Sequence, residues 1–219
     1  MPASRHPKAD RLRGLYVIVD PEHTAGRPLL DVARAALNGG ANVMQLRDKL
    51  SDKRPMLERA EQLQRLCDEF GAAFFVNDHA DVARIVGSDG LHVGQSDLPV
   101  EAARQVLAPG QMIGTSTHNL EEAGASQAEE VDYLAVGAIY GTGTKTITHP
   151  AGVETLARVR PSISVPVAAI GGINVSNAGP VLEAGADMIC VISAVSLAPD
   201  PEAAARELVD LIERARSQR

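Results

Sequence analysis

The sequence predicts one closed (β/α)8 barrel, and three observations predict it. Eight short apolar runs alternate with segments of helical periodicity along the whole chain, with no linker rich in Pro, Gly or Ser between them. Such runs read as strands buried on both faces, and their alternation with helices implies a parallel sheet. The second observation is the count. Eight units fill the 219 residues, whereas an open doubly wound sheet more often has roughly five to seven strands. The third is where the polar residues fall. Short polar clusters stand directly after five of the runs, which puts reactive groups at strand C-terminal ends, the end at which such barrels bind ligands.

In chain order, strands are expected at 15–19, 42–46, 73–76, 89–93, 111–114, 133–137, 166–170 and 187–192. The second to fourth contain Val43-Met44, Ala73-Phe74-Phe75-Val76 and Leu91-His92-Val93. Tyr133-Leu134-Ala135-Val136 and Val165-Pro166-Val167-Ala168-Ala169-Ile170 supply the sixth and seventh. Helices follow near 28–38, 53–70, 79–86, 99–107, 119–128, 152–160, 175–184 and 201–215. Asn38-Gly39-Gly40-Ala41-Asn42 and Glu183-Ala184-Gly185-Ala186-Asp187 echo each other: glycine closes a helix, and Ala-Asn or Ala-Asp enters the next strand. The echo fits an internal repeat, and it fits equally the turn chemistry that αβ connections share. Residues 1–13, polar and broken by Pro2 and Pro7, read as a mobile N-terminal tail, and 14–219 as the barrel domain that carries the chemistry.

Composition narrows the function classes. With 45% hydrophobic residues the chain can bury one sizeable core. A net charge of -7, 3% aromatic residues and no Trp argue against a basic groove with stacking platforms, so nucleic acid is not an expected partner. An anionic ligand must therefore be met locally, by clustered cations and backbone amides. Cys67 and Cys190 are the only cysteines and form no CxxC pattern, so no disulfide framework or zinc knuckle is expected and a reducing cytoplasm fits. The N-terminus lacks the apolar core of a signal peptide, and no stretch approaches the roughly 18 apolar residues that a membrane span needs. A homo-oligomeric assembly is left open.

The polar clusters are Gln45-Leu46-Arg47-Asp48-Lys49, Asn77-Asp78, Gln95-Ser96-Asp97, Thr142-Gly143-Thr144-Lys145 and Gly171-Gly172. Asp78 and Asp97 belong to consecutive βα units, so a barrel sets them on neighbouring strand ends, about 4.8 Å apart at the backbone. Two carboxylates at that spacing can share one hard cation. Mg2+ typically takes one or two carboxylates and completes its octahedron with water and phosphate oxygens. Either Asp alone would equally serve as a helix cap. Arg47, Lys49 and Lys145 would reach the same mouth, Arg as a planar fork for phosphate oxygens and Lys as a flexible point charge. The inventory suits a phosphorylated substrate handled with a divalent metal.

Other motifs fail on spacing. Thr144 stands where the Walker loop requires Gly before Lys145, and Thr146 where the dinucleotide fingerprint requires a third glycine after Gly141 and Gly143. The stretch 138–151 reads instead as a long mobile loop carrying hydroxyls and one cation over the site. Gly171-Gly172 ends the seventh strand and Ile192-Ser193-Ala194 the eighth, where these barrels frequently build a phosphate site from backbone N–H groups. Glycine there lets the backbone come close to the oxygens. The six histidines lack zinc-enzyme spacing. His92 lies within a strand as a packed, hydrogen-bonded residue, and His118, after Gly114-Thr115-Ser116-Thr117, is placed to face the mouth. Ser116 has no Ser-His-Asp context and reads as a hydrogen-bond donor to the ligand rather than a nucleophile.

Several stretches share one pattern when taken in order: Leu15-Tyr16-Val17-Ile18-Val19-Asp20, Gln45-Leu46-Arg47-Asp48-Lys49, Asn77-Asp78, Asp89-Gly90-Leu91-His92-Val93-Gly94-Gln95-Ser96-Asp97, Gly114-Thr115-Ser116-Thr117-His118, Thr142-Gly143-Thr144-Lys145, Ile170-Gly171-Gly172-Ile173 and Val191-Ile192-Ser193-Ala194. From Gly14 to about Ala205 the chain thereby resembles the thiamine-phosphate synthase family. Members of that family join a hydroxymethylpyrimidine diphosphate to a thiazole phosphate and release pyrophosphate. The resemblance implies Mg2+ on Asp78 and Asp97, and diphosphate held by Arg47, Lys49, Asn77, Ser116 and Lys145. Among these it makes Arg47, Lys49 and Lys145 the catalytic cations. It further implies pyrimidine contacted by Gln45, thiazole bound by Thr142 and Thr144, and the thiazole phosphate on the backbone of Gly172, Ile192 and Ser193. Gly137-Ala138 and Tyr140-Gly141 stand where many relatives have proline, which implies a looser loop before closure. Two other readings stay open. One is an isomerase of the thiazole tautomerase type, which shares the barrel and phosphate end but needs no metal-bound diphosphate. The other is a non-catalytic protein that senses or stores a phosphorylated ligand.

Overall fold

The structure, a computed structural model, describes residues 7–141 and 150–218. Eight parallel strands close a barrel in sequence order: β1 (Gly14–Val19), β2 (Val43–Leu46), β3 (Ala73–Asn77), β4 (Gly90–Val93), β5 (Met112–Thr117), β6 (Tyr133–Gly137), β7 (Val167–Ile170) and β8 (Met188–Val191). Pairing of β1 with β8, Tyr16 opposite Cys190, seals it. Between strands run α1 (Leu29–Asn38), α2 (Lys53–Phe70), α3 (Ala80–Val86), α4 (Val100–Val106), α5 (Leu120–Ala128), α6 (Gly152–Val159) and α7 (Ala178–Glu183). After β8 come a single turn, α8 (Ser193–Ser196), and the long α9 (Pro201–Ser217).

The (β/α)8 expectation holds, and its differences have local causes. β5 runs three residues past its expected end because Thr115, Ser116 and Thr117 stay paired with Leu134, Ala135 and Val136. Their polarity hides them from an apolar-run pattern. α7 starts at Ala178, not near 175, because the side chains of Asn174 and Asn177 capture the backbone N–H groups of Ser176 and Asn174 and hold a turn there. The turn α8 is too short to leave a periodic signal.

Strand side chains alternate between the interior and the helix layer. Leu15, Val17 and Val19 face the helices, whereas Tyr16 and Ile18 face inward with Val43, Phe75, Met112 and Tyr133. Both faces are buried, so the strands show no polar alternation until their C-terminal layer. Gly114 makes room for an aromatic: a Cβ there would lie 2.0 Å from the Tyr133 ring. The interior below the mouth is thus filled, and any ligand is confined to one end.

The echo between 38–42 and 183–187 belongs to a fourfold device. Asn42 Oδ1 accepts from Leu15 N (3.3 Å), Asp89 Oδ2 from Phe74 N (2.8 Å), Asp132 Oδ2 from Ile113 N (2.7 Å) and Asp187 Oδ2 from Val167 N (2.9 Å). A carboxylate or amide entering every even strand thereby satisfies the first free amide of the preceding odd strand.

One expectation about a chain segment is corrected. Residues 8–12, assigned to a mobile tail, pack beneath the barrel: a 3-10 turn at Ala9–Arg11 carries Ala9 and Leu12 into the interior cluster. Lys8 Nζ joins Asp68 (2.7 Å), Asp89 (3.1 Å) and the Ala72 carbonyl (3.0 Å). An open barrel floor needs apolar closure, and two isolated apolar residues carry no periodicity to announce it. Residues 142–149 of the expected loop 138–151 lie outside the described residues, and the described residues on either side are hydrogen-bonded. Ile139 N donates to Ile170 O (2.8 Å), Tyr140 N to Gly171 O (3.0 Å) and Ala151 N to Ala138 O (2.7 Å).

Candidate active site

The C-terminal mouth holds a cavity of about 750 Å³. Gln45, Arg47 and Lys49 reach it from β2, Asn77 and Asp78 from β3, and Asp97 from the loop after β4. Ser116 of β5, Gly172 after β7, and Ile192 and Ser193 after β8 complete the lining from the predicted set. Thr142, Thr144 and Lys145 lie outside the described residues.

Asp78 leaves β3 with φ of 63° and donates its backbone N–H to His92 O (2.8 Å). That left-handed residue turns its carboxylate over the cavity instead of continuing the strand. Lys49 Nζ binds the carboxylate, and the Asp97 carboxyl adjoins it. Burial first, and then the neighbouring Asp97, raise the Asp78 pKa against the opposing pull of Lys49. Helix capping explains neither residue. His79, not Asp78, precedes α3, Pro99 precedes α4, and Asp97 Oδ2 accepts from Gly94 N (2.7 Å).

Two adjoining carboxylates, with the Asp78 pKa raised, are a donor set that a hard cation relieves. Among the described residues no group of three or more His, Cys, Asp or Glu gathers to hold a metal. A pair of carboxylates suits the chemistry of Mg2+, which typically takes one or two and keeps water and substrate oxygens in its shell.

Asp20, the residue that sequence reasoning missed, sets the arginine. It follows β1, its carboxylate is buried, and it receives Nη1 of Arg47. The strand-end rule that found Asp78 applies to it equally, since Leu15–Val19 is the first apolar run. Asp48, inside the same motif as Arg47, turns away: it accepts from Ser51 N (3.0 Å) and Arg59 Nη1 (2.7 Å) and shapes the loop before α2.

His92 is packed and hydrogen-bonded, as expected, but it also lines the cavity, with Nδ1 2.8 Å from Tyr133 OH and Nε2 2.9 Å from Ser116 Oγ. His118 lines the rim and pairs through Nδ1 with Glu122 Oε2 (2.8 Å). Opposite the acidic pair, Gly171 and Gly172 take φ of 106° and 64°. A Cβ on Gly172 would lie 2.5 Å from Gly141 O, and Asn177 Nδ2 holds the Gly172 carbonyl (2.9 Å). The backbone itself lines that end.

Residues 15–195 match the model of the family described as thiamine monophosphate synthase. The thiamine-phosphate synthase of Moorella thermoacetica is 43% identical over 205 residues, covering 93% of this chain and 98% of the relative. That of Shouchella clausii is 42% identical over 202 residues, covering 92% and 97%. A solved structure of a thiamine phosphate pyrophosphorylase from Pyrococcus furiosus superposes with a TM-score of 0.86 at 40% identity, covering 94% of this chain and 98% of that one. With the strand-end residues converging on one cavity and likeness running through nearly the whole length, the chain belongs to the thiamine monophosphate synthase family.

Proposed function

We propose that this cavity couples 4-amino-2-methyl-5-hydroxymethylpyrimidine diphosphate to a thiazole phosphate, giving thiamine phosphate and pyrophosphate. As a member of its family the chain is a transferase. One observation carries the substrate reading: adjoining Asp78 and Asp97 share one side of the cavity with Lys49 and Arg47, while the Gly171-Gly172 backbone lines another side. A diphosphate fits the first arrangement and a monophosphate the second.

Asp78 and Asp97 would hold Mg2+, and the ion when bound would supply charge stabilisation to the departing pyrophosphate. Arg47, oriented by Asp20, and Lys49 supply fixed positive charge beside the same oxygens, so charge growing on the leaving group meets groups already in place. Gln45 contacts the aminopyrimidine, whose ring delocalises the positive charge left at the methylene carbon. The thiazole nitrogen attacks that carbon from the glycine end, where its phosphate is anchored by Gly172, Ile192 and Ser193. Positioning replaces nucleophilic catalysis, and Lys145 with Thr142 and Thr144, outside the described residues, would contribute a cation for the diphosphate and two hydroxyls for the thiazole. The same reading places the enzyme in the cytoplasm, where its two free cysteines stay reduced.

An isomerase would have no use for the acidic pair and its lysine. Purified protein incubated with both substrates should release pyrophosphate only when Mg2+ is present. Ligand binding with no pyrophosphate at any Mg2+ concentration would favour the sensor reading and end this one.

A further inference from the structure

We propose that a buried hydrogen-bond chain from Gln45 through Tyr16, Tyr133 and His92 is a positioning device that fixes the His92 tautomer and aims the Ser116 proton into the cavity. It rests on the coupling reading for the ligand atom at its end, a diphosphate oxygen. The links are Gln45 Nε2 to Tyr16 OH (2.7 Å), Tyr16 OH to Tyr133 OH (2.8 Å), Tyr133 OH to His92 Nδ1 (2.8 Å) and His92 Nε2 to Ser116 Oγ (2.9 Å). They cross the barrel interior and join two cavity residues, Gln45 and Ser116, that are 71 positions apart in sequence.

Proton counting sets the direction. Both phenols are fully enclosed, and burial raises their pKa values well above the usual range, so each keeps one proton to donate. The Gln45 amide nitrogen can only donate, so Tyr16 oxygen accepts there and Tyr16 sends its own proton to Tyr133. Tyr133 in turn donates to His92 Nδ1. That nitrogen must then be bare, so neutral His92 carries its proton on Nε2 and gives it to Ser116 Oγ. Ser116 is left with one proton and the cavity to receive it. In the reverse direction Tyr16 would accept from both Gln45 and Tyr133, and its own proton would lose the Tyr133 acceptor, a cost for a buried donor. The Gln45 amide orientation, set where the pyrimidine lies, therefore controls whether Ser116 offers a donor or an acceptor at the diphosphate end.

The test reads the tautomer directly, in protein labelled with 15N-histidine, by two-bond proton–nitrogen correlation without substrate. Wild-type His92 is expected as the Nε2–H tautomer. Tyr133→Phe removes the donor to Nδ1, should populate the Nδ1–H form, and should lower kcat about tenfold with KM for thiazole phosphate unchanged. His92→Gln, which keeps an N–H donor, should retain more kcat than His92→Leu. If Tyr133→Phe does not fold, Gln45→Glu gives a second tautomer readout, since its carboxylate accepts the Tyr16 proton and turns the chain toward the Nδ1–H form. A wild-type Nδ1–H tautomer, or a tautomer indifferent to the phenol removed, overturns the proposal. Because no substrate is needed, that failure is distinct from an absence of pyrophosphate release, which would overturn the coupling reading instead.

Discussion

The Asp20 carboxylate receives the Arg47 guanidinium where β1 and β2 end, with side chains only 1% and 13% exposed. Two adjacent strands in register bring them together, Val19 opposite Leu46. A charge pair so enclosed is strongly oriented, and removing one member leaves the other charged and unpaired.

Asp20→Asn should therefore lower stability by about 3 kcal/mol and raise KM for the pyrimidine diphosphate while leaving KM for thiazole phosphate unchanged. Denaturant unfolding and steady-state kinetics with each substrate varied check the two halves. Equal effects on both KM values would count against Arg47 as the diphosphate anchor.

Asp78→Asn and Asp97→Asn should each reduce Mg2+-dependent coupling by about a hundredfold or more, with thiazole phosphate binding retained in calorimetric titration. Stability should move the other way for Asp78. Its folded-state pKa is raised, so the stability linked to its proton is present below the ordinary carboxylate value and is lost as pH climbs through the raised value. At neutral pH without metal, Asp78→Asn is expected to melt no lower than wild type.

Gly172→Ala places a methyl group 2.5 Å from the Gly141 carbonyl at a left-handed φ of 64°. The turn must shift, and thiazole phosphate should lose affinity, with KM rising about tenfold or more and kcat at saturation changing less. An unaltered KM would remove this backbone from the phosphate site.

Lys8→Met should weaken the barrel floor in a pH-dependent way. Burial works against the Lys8 ammonium, but hydrogen bonds and charge from Asp68 and Asp89 outweigh it and raise its pKa. Its stabilisation is thus complete below the ordinary lysine value and disappears as pH rises through the raised one. Thermal melting of both proteins from pH 7 to 11 should show a gap that narrows only at the alkaline end.

Much of this was legible because two periodicities leave marks in the chain. Leu15–Val19 and Tyr133–Val136 are apolar without a break since helices cover one face and the interior the other, and polar residues return where the strands meet solvent. That rule located Gln45, Arg47, Asn77, Asp78 and Ser116 at one mouth. Asp20 obeys it as well, but its role lies in a contact with Arg47 on the next strand, which the rule does not reach. The packing of Ala9 and Leu12 left no mark, because closing a barrel floor takes two apolar residues and no repeat.

The order of residues alone thus determined the eight-unit barrel, the end that bears the chemistry and the family likeness, since burial and strand ends are local properties written one segment at a time. Only the tertiary structure decided that Asp20 would hold Arg47, that Asp78 would meet both Lys49 and Asp97, and that Tyr16, Tyr133 and His92 would join in one line of hydrogen bonds. These pairings depend on barrel closure and register, which bring side chains from different strands within bonding distance, and no single segment encodes its neighbour's position.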